Sequence, residues 1–362
     1  MVKFTAKLFL SCAVLASLLS ACATTPDKLL FSMPGSVGTD AKQKPELLWP
    51  APPQTPHYSY IGDLRGESNL VKDEKKKGSA VSRFFSALVG LDNESIPLVD
   101  LVRPQQGMID EQGRIYVADP GKQAVYVFDE KTSEFFIWNE LVLNIPFKSP
   151  VGVASTGNSI MVTDSEQGVV YVLSLQGELL RTLGKGLLIR PTGIAYDPTQ
   201  QRLFISDTND DNIKIFNLQG ELLSTLGRKG AQPGEFNRPT FLQFHKNKLY
   251  IADSLNTRIQ IIDQQSGEIQ LIGERGLYVG NFSRPKGIAI DSDENIYVTE
   301  SYYDHLLMFN KAGEFLMSIG GSGNQPGKFS QPTGVWIDKQ DRLYVSDMLN
   351  SRISIFQYLG GQ

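Results

Sequence analysis

Two sets of residues recur in this sequence at spacings that could do chemistry. Six acidic residues, Asp119, Asp164, Asp207, Asp253, Glu300 and Asp347, each close an apolar run, and four arginines, Arg103, Arg190, Arg238 and Arg284, each stand immediately before a proline. Guanidinium groups gathered at one place grip carboxylates or phosphates through forked hydrogen bonds, and acidic neighbours would pair with them instead. A second acidic set, Asp110, Asp197, Asp291 and Asp338, falls at equivalent turns. Such residues cap turns through their own backbone; arranged as a ring they would hold calcium or another hard divalent cation. Three histidines, His57, His245 and His305, fall at unlike positions and supply no convergent zinc site, and no Ser-His-Asp order, phosphate loop or Cys/His cluster is present.

The elements that must position these residues are legible as a repeat. The six acidic marks are separated by 45, 43, 46, 47 and 47 residues, near the roughly 40–50 of a four-stranded propeller blade. Each unit opens with a proline, runs into an apolar strand, turns, and enters a second strand that ends on the acidic mark. In the fifth unit the expected strands are Gly287–Asp291, Asn295–Glu300, His305–Asn310 and Phe315–Gly320. The last unit, from Pro332, stops after its third strand, and the segment from Tyr58 to Gly62 has the shape of the missing fourth. The sequence therefore predicts an all-β fold: a closed six-bladed β-propeller whose last blade is completed by an N-terminal strand. Closure removes an exposed sheet edge at a loop cost that grows only logarithmically with length. In that topology the connectors between blades and the loops after second strands share one face, so the four arginines are expected around one mouth of the central channel, close to the acidic marks. Two uses stay open for this collar: gripping an anionic ligand, or pairing with acidic loops of adjacent blades to stitch the ring.

Ahead of the repeat, Lys3 and Lys7 precede an uncharged stretch from Leu8 to Leu19, the form of an export signal and too short to span a bilayer. It closes with Leu19-Ser20-Ala21-Cys22, which resembles the lipobox of bacterial lipoproteins. That resemblance implies a signal peptide over 1–21, lipidation of Cys22, and, with Ala23 after the cysteine, sorting to the periplasmic side of an outer membrane. Residues 22–56 carry five closely spaced prolines from Pro45 to Pro56 and read as a semi-rigid tether. Residues 57–362 form the propeller, with an insert over 64–100. In that insert Val81, Phe84, Phe85 and Leu88 fall on one face of a helix. The helix either packs on the body or docks on lipid or a partner.

The formal charge is −4, and removal of Lys3 and Lys7 with the signal takes it to −6. No basic field of the kind that dominates nucleic-acid affinity is available. The only cysteines, Cys12 and Cys22, are both consumed by processing, so the mature chain is expected to hold no disulfide.

The units resemble NHL repeats on Arg284-Pro-Lys-Gly-Ile-Ala-Ile-Asp291, on Leu249-Tyr-Ile-Ala-Asp-Ser-Leu-Asn-Thr-Arg258, and on Leu343-Tyr-Val-Ser-Asp-Met-Leu-Asn-Ser-Arg352. The connectors Gly230 to Pro239, Gly276 to Pro285 and Gly323 to Pro332 repeat in step. With the lipobox, the whole resembles bacterial six-bladed propeller lipoproteins. Propellers of this kind include binding modules and also lactonases and lyases that use metal ligands from inner strands; the former implies a protein or peptide partner and no cofactor, the latter calcium or a similar cation. The full Asp-x-x-Asn-x-Arg loop occurs only in the fourth and sixth units, and the fifth replaces it with Glu300, Tyr302, Tyr303 and His305. Loops that vary on a shared frame are where recognition sits. The expected docking surface comprises Arg103, Arg190, Arg238 and Arg284 with Asn209, Asp210, Asp211, Tyr278, Tyr302 and Tyr303, on a chain expected to be monomeric.

Overall fold

In the computed structural model, residues 29–34, 47–72, 99–142 and 145–360 are described. Two compact units are distinguished. One comprises residues 1–30 and 70–96, of which few are described; Cys22, the signal peptide and the helix expected over Val81 to Leu88 lie outside the described residues. The other, residues 31–69 and 97–362, is the propeller.

Blades 1 to 5 are four-stranded antiparallel sheets in simple up-and-down order. Their strands are short and rich in β-branched and aromatic residues, bounded by Gly, Asn and Asp turns, so no helix competes. In blade 5 the strands are Pro285–Ile290, Ile296–Glu300, His305–Phe309 and Phe315–Gly320. Inner strands are buried on both faces, as in Ile160–Asp164 and Val169–Leu173 of blade 2, because neighbouring blades cover them; the outermost strand Leu222–Leu226 of blade 3 is mostly exposed. Facing blades share one apolar layer: Tyr250, Ile259 and Ile261 of blade 4 pack with Ile288, Val298 and Phe309 of blade 5.

The ring closes as expected. Tyr58–Leu64 pairs antiparallel with Arg352–Tyr358, placing Tyr60 opposite Phe356 and Gly62 opposite Ile355. Closure uses side chains too: Asp63 accepts from Arg352 Nη1 at 3.0 Å and from Ser354 Oγ at 3.1 Å. On the blade 1 side, Thr333 Oγ1 donates to the carbonyl of Pro104 at 3.0 Å.

One boundary differs from expectation. Residues 47–49, assigned above to the tether, belong to the propeller: Leu48–Trp49 adds a fifth strand to blade 6. The reason is the Trp49 indole, which packs edge-on to Phe356 at 5.5 Å and covers Gly327 so closely that a Cβ there would meet the ring at 2.4 Å. Gly327 also has φ +76°, so glycine is required there on two counts. Phe31 and Met33 are buried as well, with Phe31 5.3 Å from Phe128 of blade 1.

Candidate functional site

The acidic marks fix the loops of one face. Asp119, fully buried, accepts the backbone N–H groups of Val102, Arg103, Gly121 and Lys122 at 2.6 to 3.2 Å. Burial raises its carboxyl above the ordinary range, and these four donors oppose that rise. Asp164 collects Lys148, Ser149, Glu166 and Gln167 N–H in the same way, and Glu300 collects those of Ser283, Arg284, Tyr302 and Tyr303. Four residues beyond each mark the chain turns left-handed, at Gln123, Gly168, Asp211, Thr257, Asp304 and Ser351. One loop template therefore serves all six blades.

Of the arginines before the prolines, Arg103, Arg190 and Arg284 are held by their backbones, not their side chains. All four are exposed, and none forms an ion pair among the described residues. The stitching role expected of them through acidic loops of adjacent blades is therefore not seen. Arg238 comes nearest, since its N–H reaches Asp211 of blade 3 at 2.7 Å and its guanidinium donates to Asn209. Asp210 is engaged by Lys214, so Asn209, Asp210 and Asp211 all have structural partners within this corner. Arg103 and Arg190 line a 430 Å³ cavity at the channel mouth, whose other cation is Lys286.

Hydroxyls do the stitching instead. Ser165, Thr208 and Ser254 each follow an acidic mark and donate to the carbonyl of the next blade's opening proline, Pro191, Pro239 and Pro285. Thr163 accepts from Gly152 N–H at 2.7 Å and donates to Thr192 O at 2.6 Å; Thr299 does the same with Gly287 and Thr333. Threonine after the blade-opening proline, at 192, 240 and 333, was the signal that sequence reasoning passed over.

The loop signature explains where space opens on this face. In blade 4, Arg258 pairs with Asp253 at 2.8 Å, and its remaining donors cover the carbonyls of Ala231, Gln232 and Glu235 in the connector. Arg352 of blade 6, 1% exposed, does likewise with Asp347, Gln325 and Lys328, and adds Asp63. Asn256 and Asn350 donate to Gly230 O and Gly323 O. Blade 5 has Tyr303 and His305 at the corresponding positions. Among the described residues no lysine or arginine lines the space beneath its connector, and a 230 Å³ pocket opens there, lined by Leu277, Tyr278, Val279, Tyr302, Tyr303 and His305 among others. Leu277 and Tyr278 are each 84% exposed and Tyr302 is 61% exposed. The rings of Tyr302 and Tyr303 meet edge-to-face at 4.9 Å. The structure thus brings together the three tyrosines selected from sequence and separates them from the Asn209–Asp211 corner, whose polar groups are engaged elsewhere.

At the opposite mouth, Asp110, Asp291 and Asp338 cap their own turns: each accepts backbone N–H groups and a tyrosine hydroxyl, from Tyr116, Tyr297 and Tyr344. Asp197 caps with Thr199 and Gln200 N–H and pairs with Arg202 at 3.0 Å. His245 ends the first strand of blade 4 and His305 begins the third strand of blade 5. Among the described residues no three His, Cys, Asp or Glu side chains are grouped as a metal site would need, and no helix is long and apolar enough to cross a membrane.

Comparison with known proteins agrees with this architecture. The family described as 6-bladed beta-propeller (DUF5128) matches residues 291–362. The chain is a six-bladed β-propeller. No curated protein matches it. Among solved structures, the propeller is similar to an auxiliary nutrient binding protein from Bacteroides thetaiotaomicron, at TM-score 0.57 and 15% identity over 72% of this chain and 70% of the other. Virginiamycin B lyase from Staphylococcus aureus, solved with quinupristin, matches at TM-score 0.54 and 14% identity over 74% and 86% of the two chains. A Bacteroides thetaiotaomicron protein of unknown function matches at TM-score 0.55 and 14% identity over 91% and 90%. At these identities the likeness is one of fold.

Proposed function

We propose that this propeller is a binding module and that it docks a protein or peptide through the loop face of blade 5. The observation that carries the reading is the pocket left where Arg258 and Arg352 fill the equivalent space in blades 4 and 6, rimmed by Leu277, Tyr278 and Tyr302, all strongly exposed. Exposed aromatic residues around a concavity are a poor use of surface on a monomer, and tyrosine is among the residue types that contribute most at interfaces. The resemblance of its fold to nutrient-binding proteins is consistent with binding. The N-terminal sequence supports placement of the module on the periplasmic side of an outer membrane, held by lipid on Cys22, where a short apolar signal and a lipobox-like cysteine would put it.

The test is affinity capture from solubilised membranes with wild-type protein beside Tyr278→Ser/Tyr302→Ser. One co-purifying species that is lost from the double variant, with unfolding unchanged, is the expected result. Retention of every captured species by the variant would overturn the reading.

A further inference from the structure

A second cavity on the same face carries chemistry of another kind. The residues that follow the six blade-opening prolines form a ring at the channel mouth: Gln105, Val151, Thr192, Thr240, Lys286 and Thr333. All but Thr333 line the 430 Å³ cavity. In blades 3, 4 and 6 the position is threonine, used to bond the neighbouring blade. Blade 5 places a lysine there, half-buried among these groups. Burial, and then the nearby Arg284 guanidinium, push the Lys286 ammonium below the ordinary lysine range. Arg103 and Arg190 line the same cavity, and among the described residues no carboxylate lines it. The nearby acidic marks Asp119 and Asp207 are fully buried and accept the backbone N–H groups of Val102, Arg103, Ile189 and Arg190. Among the described residues, Arg103, Arg190, Arg284 and Lys286 form neither ion pairs nor side-chain hydrogen bonds.

This arrangement is costly unless something offsets it. A half-buried ammonium with a cationic neighbour raises the energy of the folded chain, and three unpaired cations lining one cavity of a chain that is acidic overall are not explained by solubility. A concave wall of one sign concentrates counter-ions, and two guanidiniums with one ammonium match the oxygens of a multiply charged anion. We infer that the channel mouth is a binding site for a small polyvalent anion, a phosphorylated or polycarboxylate compound, held by Lys286, Arg103 and Arg190. The inference stands apart from the blade 5 docking pocket, which shares none of these residues.

Calorimetric titration of the purified protein with inorganic triphosphate and with citrate, at constant ionic strength, tests it. Saturable one-to-one binding of at least one probe is expected, weakened tenfold or more by Lys286→Met and by Arg103→Gln/Arg190→Gln, and unchanged by Lys131→Gln on an exposed turn elsewhere. Preference for triphosphate would assign a phosphorylated ligand, and preference for citrate a polycarboxylate. The two arginines are exposed, so their double variant will fold even if Lys286→Met does not. Absence of saturation with both probes, or undiminished binding by the double arginine variant, would overturn the inference.

Discussion

Blades 4 and 6 and blade 5 are built on one loop template and end in opposite states. In blades 4 and 6 an asparagine and an arginine bolt the incoming connector to the second strand: Arg258 covers three connector carbonyls, Arg352 two, and each is paired with a buried aspartate. Blade 5 keeps the acidic anchor, as Glu300, and the left-handed residue, as Asp304, and still buries the connector phenylalanine, Phe282. It lacks the bolt. The lesson is that the frame of these loops is set by the acidic mark and the buried phenylalanine, whereas the arginine decides whether the space beneath the connector is filled or left open. In blade 5 the arginine is absent while the acidic mark and the buried phenylalanine are kept.

The strongest way to break the comparison is to pull a bolt. Arg352→Ala leaves Asp347 buried without its cation, frees two carbonyls and removes one of the partners of Asp63 in the closing strand, which keeps Ser354 and Arg65. Loss of one partner of a buried pair costs about 3–5 kcal/mol, and that loss is expected here in denaturant unfolding. Arg258→Ala, which has no tie to the closing strand, should cost less. Equal losses would mean that Asp63 adds nothing to closure.

Next in size is the effect on binding. Tyr302→Ala in the open pocket is expected to weaken the captured partner by roughly 2 kcal/mol, the order seen for central aromatic contacts, and to leave unfolding within about 0.5 kcal/mol of wild type. A loss of stability comparable to the loss of affinity would make Tyr302 a packing residue instead. His305→Arg sharpens the contrast from the other side. An arginine there can reach the connector carbonyls as Arg258 does, so a gain on the order of 1 kcal/mol from charge-assisted hydrogen bonds is expected in unfolding, together with loss of partner binding. A filled pocket that still captured the partner would move the docking surface elsewhere.

Much of this frame was legible in the sequence because repetition reports on packing. The spacing of Asp119 to Asp347 gave the blade count, and Tyr58 to Gly62 could be assigned to the last blade because a strand was lacking there. Tyr278, Tyr302 and Tyr303 stood out because they depart from a repeat. Two features were hidden. The spacer was read from its prolines, which say nothing about the one residue, Trp49, that finds a hole over Gly327 and draws Leu48–Trp49 into the sheet. The arginines before the prolines looked like stitches because they recur. Recurrence there reflects a backbone role: the N–H groups of Arg103, Arg190 and Arg284 serve the acidic marks, which any residue but proline could do, so their side chains were left free.

The smallest expected effect concerns His245, which ends the first strand of blade 4 where four of the other blades carry a turn-capping aspartate. Its Nε2 is buried without a hydrogen-bond partner among the described residues, and burial, then Lys246, hold its imidazole below the ordinary 6.5. The folded chain therefore disfavours the proton that the unfolded chain accepts near pH 6.5, so the unfolded state binds more protons in the window below that value. Stability contributed at this site is complete above the unfolded value and falls as pH drops through 6.5 toward the lower folded value. Asp119 and Asp347, whose carboxyls are raised by burial, act with the opposite sign, since their folded forms take up protons first. Comparing wild type with His245→Gln cancels those terms: the unfolding free energies should converge as pH falls from 7 to 5 if the histidine is the better residue when neutral. Parallel curves across that range would show that His245 meets the same solvent folded and unfolded, and that the turn of blade 4 is as open as the pocket of blade 5.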